Sequence, residues 1–575
     1  IALDRERCIL CYRCTRFSEG ISEDGQLVAK NRGAGSIIAT FEDEPYRAHF
    51  SGNVTELCPV GALLPTTYRF KARPWEIDNV PTVCGLCPVG CNVWVTTREG
   101  KPTRVLSRNH PEIDDGWLCD KGRFAFAHVR AADRVREPLL RVRRRGFEAV
   151  SWERAAEEAA RGLREAGGPV VVAYSGSETN ETAQALAQIA RAGLDAEASA
   201  ILPDDIDPAL EAYRAPLSAL RAAELVLVVG DDPVVERAPI VDLWLRAARR
   251  EGVDVVYAMP DGDPKTGPGQ AAAVCASPPP ELAERLGAAR RVGLVWSQDA
   301  PDGGRALGAL AGSLSGEVAA FVLPRSPNGR GVAQAWYEAG EGGRGHPPAD
   351  GEIGALVVSG DEAAYDPRVL ELASRARFVL TTAMFMGDHT LQAHLVVPGT
   401  GYLERDGTVV NLEGRSQRQR KSVEPPGGLG ELEFYSRVGE RLALAIPAWA
   451  GELPAERAVL DPPGERSPVT APRRPARAAP ARGGIRLVRY RPLFTGPAVE
   501  RVDALAFQRP AAELELAWAD GDRLGIAQGD RVVVETNGTS RELRARLNRR
   551  LKQGVARIAV EHADGLADTI EVRKA

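Results

Sequence analysis

The chain has 575 residues, a formal net charge of −5, 44% hydrophobic residues and 26% charged residues. That length exceeds what one hydrophobic core serves, so roughly two to four domains are expected. The composition is that of a soluble globular protein, and the charge gives no ground for a nucleic-acid partner. No apolar run approaches the roughly 18–20 residues of a membrane-spanning helix, and no secretory signal opens the chain. The chain does not begin with Met, which reads as a sequence with an upstream part missing.

Eight of the nine cysteines lie within the first 120 residues, in two spaced groups. Nine thiols in a chain this long make a poor disulfide framework, so metal is the better reading. The first group, expected to lie in a domain spanning 1–74, reads Cys8-Ile-Leu-Cys11-Tyr-Arg-Cys14 and closes at Cys58-Pro59. A C-x2-C-x2-C loop lets three thiolates converge on three corners of a cubic [4Fe–4S] cluster from one tight turn. Cys58 supplies the fourth corner, and Pro59 stops the backbone from coiling over it. A zinc ribbon is the alternative, but zinc sites favour two paired thiol motifs, not a triplet with a distant Cys-Pro.

The second group, in an expected domain at 75–140, reads Cys84-Gly-Leu-Cys87-Pro-Val-Gly-Cys91 and closes at Cys119. Residues 92–97 alternate as a strand does, 98–101 give a hairpin turn and 102–106 return. This hairpin carries the chain back so that Cys119 can reach the other three thiols.

From 141 to 445 short apolar runs alternate with Ala-rich amphipathic segments, which predicts an α/β body with a parallel sheet. Ser151 is placed to N-cap a helix. Strands are predicted at 170–174, 225–229, 253–257, 292–296, 319–323, 355–359 and 378–382, with helices at 181–194 and 240–250. A Pro-, Ala- and Arg-rich run at 446–484 reads as a linker. Residues 485–575 return to a β pattern through 521–526 and 529–536, an Asn537-Gly538 hairpin turn, 543–547 and 554–559.

Several of these stretches resemble known families. The Cys58-Pro59-Val60-Gly61 ending resembles bacterial ferredoxins. The Cys84 group, ending Cys119-Asp120-Lys121-Gly122-Arg123, resembles the small cluster domain that opens the molybdenum and tungsten bis-pterin oxidoreductases, formate dehydrogenase among them. In those enzymes the lysine after the last cysteine lies between cluster and pterin. The resemblance thus gives Lys121 a cofactor-side role, beside its plain reading as a counter-charge. Ser175-Gly176-Ser177-Glu178-Thr179-Asn180-Glu181, Gly230-Asp231-Asp232-Pro233 and the run from Leu395 to Arg415 resemble segments of the same enzymes, and the C-terminal stretch resembles their six-stranded barrel.

The usual pterin-metal ligand is a cysteine, and the matching stretch here offers only Ser199, Asp204 and Asp205. Cys275 lies elsewhere in a small apolar run and reads as a buried hydrophobe. Asp231 and Asp232 stand where a phosphate-binding loop avoids carboxylates. The Lys265-Thr266 pair lacks phosphate-loop glycines, and Pro264 removes a donor. The expectation is a pterin-enzyme fold without molybdopterin, with a formate dehydrogenase-type catalytic subunit as the alternative.

Taken together, the chain resembles the large cluster-bearing subunit of the peripheral arm of respiratory complex I, the proton-pumping NADH–quinone oxidoreductase, in its bacterial form with an extra cluster. That resemblance implies an electron relay with no substrate site and no catalytic residue in this chain. One [4Fe–4S] cluster is expected on Cys8, Cys11, Cys14 and Cys58, and a second, aside from the main path, on Cys84, Cys87, Cys91 and Cys119. Tyr12 and Arg13 lie between ligands and are candidates to touch the first. The resemblance also implies a [2Fe–2S] and a further [4Fe–4S] cluster upstream of Ile1. The implied partners are a flavin-binding NADH subunit, a [2Fe–2S] subunit and a two-cluster ferredoxin-like subunit. Residence is expected at the cytoplasmic face of the bacterial inner membrane, without insertion.

Overall fold

In the computed structural model the described residues are 1–203, 212–230, 232–258, 275, 278–297, 303–340, 345–446, 484–536, 538–549 and 551–575. Asp204, Asp205, Asp231, the 263–267 turn, Asn537 and nearly all of the 446–484 run lie outside them. Contacts divide the chain into two units. One comprises Ile1–Asp204, Pro324–Val459 and Gly496–Ala506, the other Asp205–Leu323, Leu460–Thr495 and Phe507–Ala575.

The first unit begins with small β elements that place the cysteines. Ala2–Leu3 pairs antiparallel with Leu63–Leu64, bringing the start of the chain beside the residues that follow Cys58. Asp78–Val83, Asn92–Arg98 and Lys101–Ser107 form a three-stranded antiparallel sheet, so the hairpin expected from alternation is present. Its inward residues Val93, Val95 and Val105 are almost wholly buried, which fixes the register because a one-residue slip would turn them to water.

The body of this unit is a seven-stranded sheet in the order Ala198–Ile201, Val170–Tyr174, Ile353–Ser359, Ala376–Ala383, Leu395–Pro398, Leu139–Val142 and Gly146–Ala149. The first five strands are parallel, and the last two join antiparallel. Val170–Tyr174 and Ile353–Ser359 are buried along their whole length, as central parallel strands covered on both faces must be. The Ser151 hydroxyl accepts the Arg154 N–H at 3.2 Å and starts the helix Trp152–Glu165. Thr179 does the same for Asn180–Ala192 through the Thr182 N–H. Both helices bury alanine-rich faces, so they lie close to the strands.

The second unit holds a four-stranded parallel sheet, in the order Asp254–Ala258, Leu225–Val229, Arg291–Trp296 and Glu317–Val322, and a closed six-stranded barrel. Cys275 is buried among the apolar side chains of the sheet's core. The barrel uses three strands that the sequence pattern does not announce: Ile485–Tyr490, Glu513–Ala517 and Thr569–Lys574. Each mixes polar and apolar residues over only five or six positions, too short a stretch to stand out. The segment 521–526, expected as part of the β pattern, instead contains the end of a helix, Trp518–Leu524. That helix stops on Gly525 at φ +67°, the left-handed conformation that a following glycine supplies without strain.

Gly354 gives a direct test of the body's packing. A Cβ there would stand 1.8 Å from the Gly167 carbonyl oxygen, so backbone must move to admit it. Gly354→Ala is expected to destabilise the first unit by about 1–3 kcal/mol or more, measured as a lowered thermal midpoint.

Candidate metal centres and the strand-end cavity

The first cysteine quartet stands around a hollow of about 370 Å3 lined also by Leu3, Ile38, Ala62 and Leu63. Cys8 ends the short turn Arg5–Arg7, and the chain then curls through Leu10 at φ 53° and Tyr12 at φ 59°. Left-handed backbone costs a non-glycine residue about 1 kcal/mol or more. Two such residues in one seven-residue stretch turn Cys8, Cys11 and Cys14 toward a common centre. Cys14 lies in the first turn of the helix Arg13–Gly20, where free N–H groups favour a thiolate. Burial nevertheless pushes its thiol upward, with Cys8 and Cys11 adding to the effect. Cys58 closes the short helix Val54–Leu57, and its Sγ lies 3.0 Å from the Val60 carbonyl oxygen. Tyr12 and Arg13 both line the hollow.

The second quartet is sealed more completely. Cys84, Cys87, Cys91 and Cys119 are all 6% exposed or less, whereas Cys8, Cys11 and Cys58 are each partly exposed. The loop joining the first two strands of the three-stranded sheet carries three of the thiols, and the Cys84 N–H donates to the Cys91 carbonyl at 2.9 Å. Cys119 caps the helix Asp120–Phe124, its Sγ accepting the Gly122 N–H at 3.4 Å. Burial raises all four thiols, most strongly Cys84 and Cys91, and repulsion from neighbouring thiolates adds to it at Cys84, Cys91 and Cys119. Lys121 pulls Cys84, Cys87 and Cys119 back down. Four buried thiols this close are costly to ionise unless cations take up the charge. Among the described residues no group of three or more His, Cys, Asp or Glu side chains is placed to hold a single metal ion.

The segment that resembles a pterin-enzyme motif clamps this loop from the α/β body. Asn411 Nδ2 donates to the Val89 carbonyl at 3.1 Å, Gln417 Nε2 to Gly90 at 2.9 Å, and the Leu412 N–H to Pro88 at 2.8 Å. Gly90 has φ +68°, and a Cβ on it would fall 2.3 Å from Gln417 Oε1. Glycine is therefore required there for both backbone and space. This clamping role is invisible in the sequence, where nothing links residue 411 to residue 89.

Asp120 joins the two quartets' surroundings. It is wholly buried, and its carboxylate accepts the Gly52 N–H at 2.7 Å and the Ser51 hydroxyl. Asn53 exchanges hydrogen bonds with Leu118 at 2.8 and 3.2 Å. Arg123 reaches Asn53 and Glu56. The approach to Cys58 and the approach to Cys119 are thus one hydrogen-bonded structure.

A cavity of about 490 Å3 lies at the carboxyl ends of the parallel strands in the first unit, bordered by Gly85 and Leu86 of the second quartet's loop. This is where open α/β sheets bind ligands. The backbone donors at its rim are already engaged. Glu178 accepts the Ser175 and Gly176 N–H groups at 2.9 and 2.8 Å. Asp361 accepts those of Met384 and Phe385 at 2.8 and 3.0 Å. Glu431 takes the Thr400 N–H at 3.1 Å and its hydroxyl at 3.0 Å. Just behind, Glu404 takes the Gly401 N–H at 2.8 Å and pairs with buried Arg134 at 2.6 Å. Burial raises all four carboxyls, Asp361 to about 7.

Of the other residues singled out in the sequence, Ser199 is buried in the strand Ala198–Ile201, and among the described residues its hydroxyl has no hydrogen-bond partner. The Asp232 carboxylate turns to Arg237 at 2.7 Å in a buried ion pair and does not face a loop mouth.

Two thiol quartets on a pterin-enzyme body define an iron–sulfur protein of the molybdopterin-oxidoreductase type. Residues 1–64 match the NADH-quinone oxidoreductase subunit 3 ferredoxin-like domain, 77–131 the molybdopterin oxidoreductase Fe4S4 domain, and 134–272 with 345–429 the molybdopterin oxidoreductase family. Among solved structures, acetylene hydratase from Pelobacter acetylenicus shares the fold. Its TM-score is 0.56 at 14% identity, covering 83% of this chain and 92% of that one.

The chain belongs to the family of iron–sulfur subunits of NADH-quinone oxidoreductase that includes subunit 3. The family's NADH-quinone oxidoreductase subunit from Streptomyces coelicolor is 30% identical over 93% of this chain and 74% of its own length. Its counterpart from Mycobacterium bovis is 34% identical over 72% of this chain and 59% of its own. Subunit 3 from Thermus thermophilus is 40% identical over 43% of this chain and 31% of its own.

Two expectations follow. Asn411→Ala removes one of the three clamping hydrogen bonds and leaves the Val89 carbonyl and the Glu413 and Arg415 N–H groups without that side chain, at a cost of about 2–3 kcal/mol. On mild heating the iron–sulfur EPR signal assigned to the Cys84 group should then be lost before the other. For Asp361, the folded carboxyl keeps a proton up to about pH 7 that the unfolded chain releases near its ordinary value of 3.8. Stability should therefore fall as pH rises from about 4 and level off above about 7. Asp361→Asn should flatten that slope in thermal melts taken across the range.

Proposed function

We propose that this chain is an electron relay within NADH–quinone oxidoreductase, passing single electrons from NADH and flavin in a partner subunit toward quinone. The carrying observation is the pair of cysteine quartets, each lying in a stretch that matches an iron–sulfur domain family, the ferredoxin-like domain of subunit 3 and the molybdopterin oxidoreductase Fe4S4 domain. Cys8, Cys11, Cys14 and Cys58 would hold one cluster, and Cys84, Cys87, Cys91 and Cys119 the other. Bound there, each cluster supplies a one-electron couple. The protein's part is to hold the thiolates, exclude water and set the potential through burial and backbone N–H groups.

The two sites have different parts in this reading. Partial exposure of Cys8, Cys11 and Cys58 suits a centre that exchanges electrons with a neighbour. The sealed Cys84 group suits a side cluster that braces the fold, with Lys121 offsetting its charge. Partners would be the flavin-binding NADH subunit, a [2Fe–2S] subunit and a two-cluster ferredoxin-like subunit. Further [2Fe–2S] and [4Fe–4S] centres upstream of Ile1 rest on the family resemblance alone.

No helix among the described residues is long and apolar enough to cross a membrane. A peripheral place on the cytoplasmic face of the bacterial inner membrane accords with that. The rival reading, a formate dehydrogenase-type catalyst, requires stoichiometric molybdenum or tungsten with pterin in the purified protein, and finding them would overturn the relay.

Cys11→Ala should abolish one [4Fe–4S] EPR signal and NADH-driven quinone reduction in the assembled complex. Cys87→Ala should remove the other signal and leave turnover nearly intact. A large loss of turnover from Cys87→Ala would reverse the assignment of the two sites.

A further inference from the structure

The molybdopterin oxidoreductase match covers the strands whose carboxyl ends form the 490 Å3 cavity, so the fold implies a phosphate-bearing pterin there. The residues present do not fit such a group. A phosphate ester or anhydride is held in an α/β fold by backbone N–H groups at strand ends and helix starts. Here the corresponding donors of Ser175, Gly176, Met384, Phe385, Thr400 and Gly401 each point at a carboxylate of the same chain.

Space is closed as well as charge. Glycines that would let a ligand approach the backbone are covered by neighbouring side chains. A Cβ on Gly401 would meet His128 Nε2 at 3.1 Å and Met384 Cε at 3.2 Å, and one on Gly360 would meet Ser175 Oγ at 2.6 Å. Arg405, the cation on the cavity wall, is spent on the Ser177 and Thr400 carbonyls and lies 3.8 Å from Glu431. Among the described residues of this wall, an incoming phosphate meets four carboxyl side chains, Glu178, Asp361, Glu362 and Glu431, and no uncommitted arginine or lysine, so no positive charge is offered to it.

We infer that the strand-end cavity is an anion cradle occupied by the chain's own carboxylates, Glu178, Asp361 and Glu431 with Glu404 behind them, and that this internal occupancy excludes phosphate-bearing ligands. Each carboxylate supplies two acceptor oxygens on a short tether, the same donor–acceptor pattern a phosphate oxygen would offer. The cofactor's anchoring points are retained as structure while their ligand is replaced by side chains. This inference stands apart from the relay, since it concerns a cavity that electron transfer does not use.

The test titrates inorganic pyrophosphate into the full cluster-bearing chain by calorimetry, with sulfate as control. The native chain should show no saturable binding. Glu178→Ala with Asp361→Ala, which frees four N–H donors and removes two carboxylates, should bind pyrophosphate at least about tenfold more tightly than the native chain. If the double variant does not fold, judged by its EPR signals and circular dichroism, Glu178→Gln is titrated in its place, removing the charge with little change in volume.

Native binding equal to that of the variants, or a folded variant that gains none, would overturn the inference and leave the carboxylates as ordinary packing. Hydrogen exchange on the native chain provides a second reading. Amides at 175, 176, 384, 385, 400 and 401 should be protected like the strands they follow, and fast exchange there would also overturn it.

Discussion

Burying four mutually repelling sulfur atoms is the constraint on which the first unit depends. A thiolate out of water is unfavourable, and four near each other more so, until iron takes up their charge. The sequence around each quartet can be understood as the means of holding the thiols in place. Left-handed Leu10 and Tyr12 curl one loop, Gly90 and Gly85 admit the body's side chains against the other, and Lys121 supplies a nearby positive charge. The distant fourth cysteine of each set is fixed by helix ends, Cys58 after one short helix and Cys119 before another.

The α/β body has a different relation to the clusters than its ancestry suggests. In this chain the stretch 395–419, which contains the resembling run from Leu395 to Arg415, acts as a buttress. Asn411 and Gln417 hold the carbonyls of the second cysteine loop, and Thr400 to Glu404 are tied down by Glu431 and Arg134. In the first unit the strand ends hold a cluster-bearing loop on one side and buried carboxyl groups on the other, and a carboxylate asks the same of a backbone N–H as a phosphate oxygen does.

Much of this is legible in the sequence, for reasons particular residues make plain. Cysteine spacing carries its own geometry, so the quartets can be grouped from their separations alone. Strands such as 170–174 and 225–229 are uninterrupted apolar runs and show at nearly their true limits. The barrel strands Glu513–Ala517 and Thr569–Lys574 do not, since each is short and half polar. What stays hidden is long-range. Asp120 on Gly52, Glu178 turned back on its own loop and Asn411 on Val89 are contacts that no local pattern announces. From sequence, the acidic loop at 230–233 is the point where phosphate binding fails. Asp232 is instead paired with Arg237, and the carboxyl groups that face the cavity come from elsewhere, Glu178, Asp361, Glu362 and Glu431.

The difference in exposure between the two quartets has a consequence for the durability of the chain. Oxidants and chelators reach sulfur and iron through solvent, and Cys8, Cys11 and Cys58 are open to it while the second quartet is enclosed. A chain standing alone would thus age unevenly, attacked first at Cys8, Cys11 and Cys58 and last at the enclosed quartet.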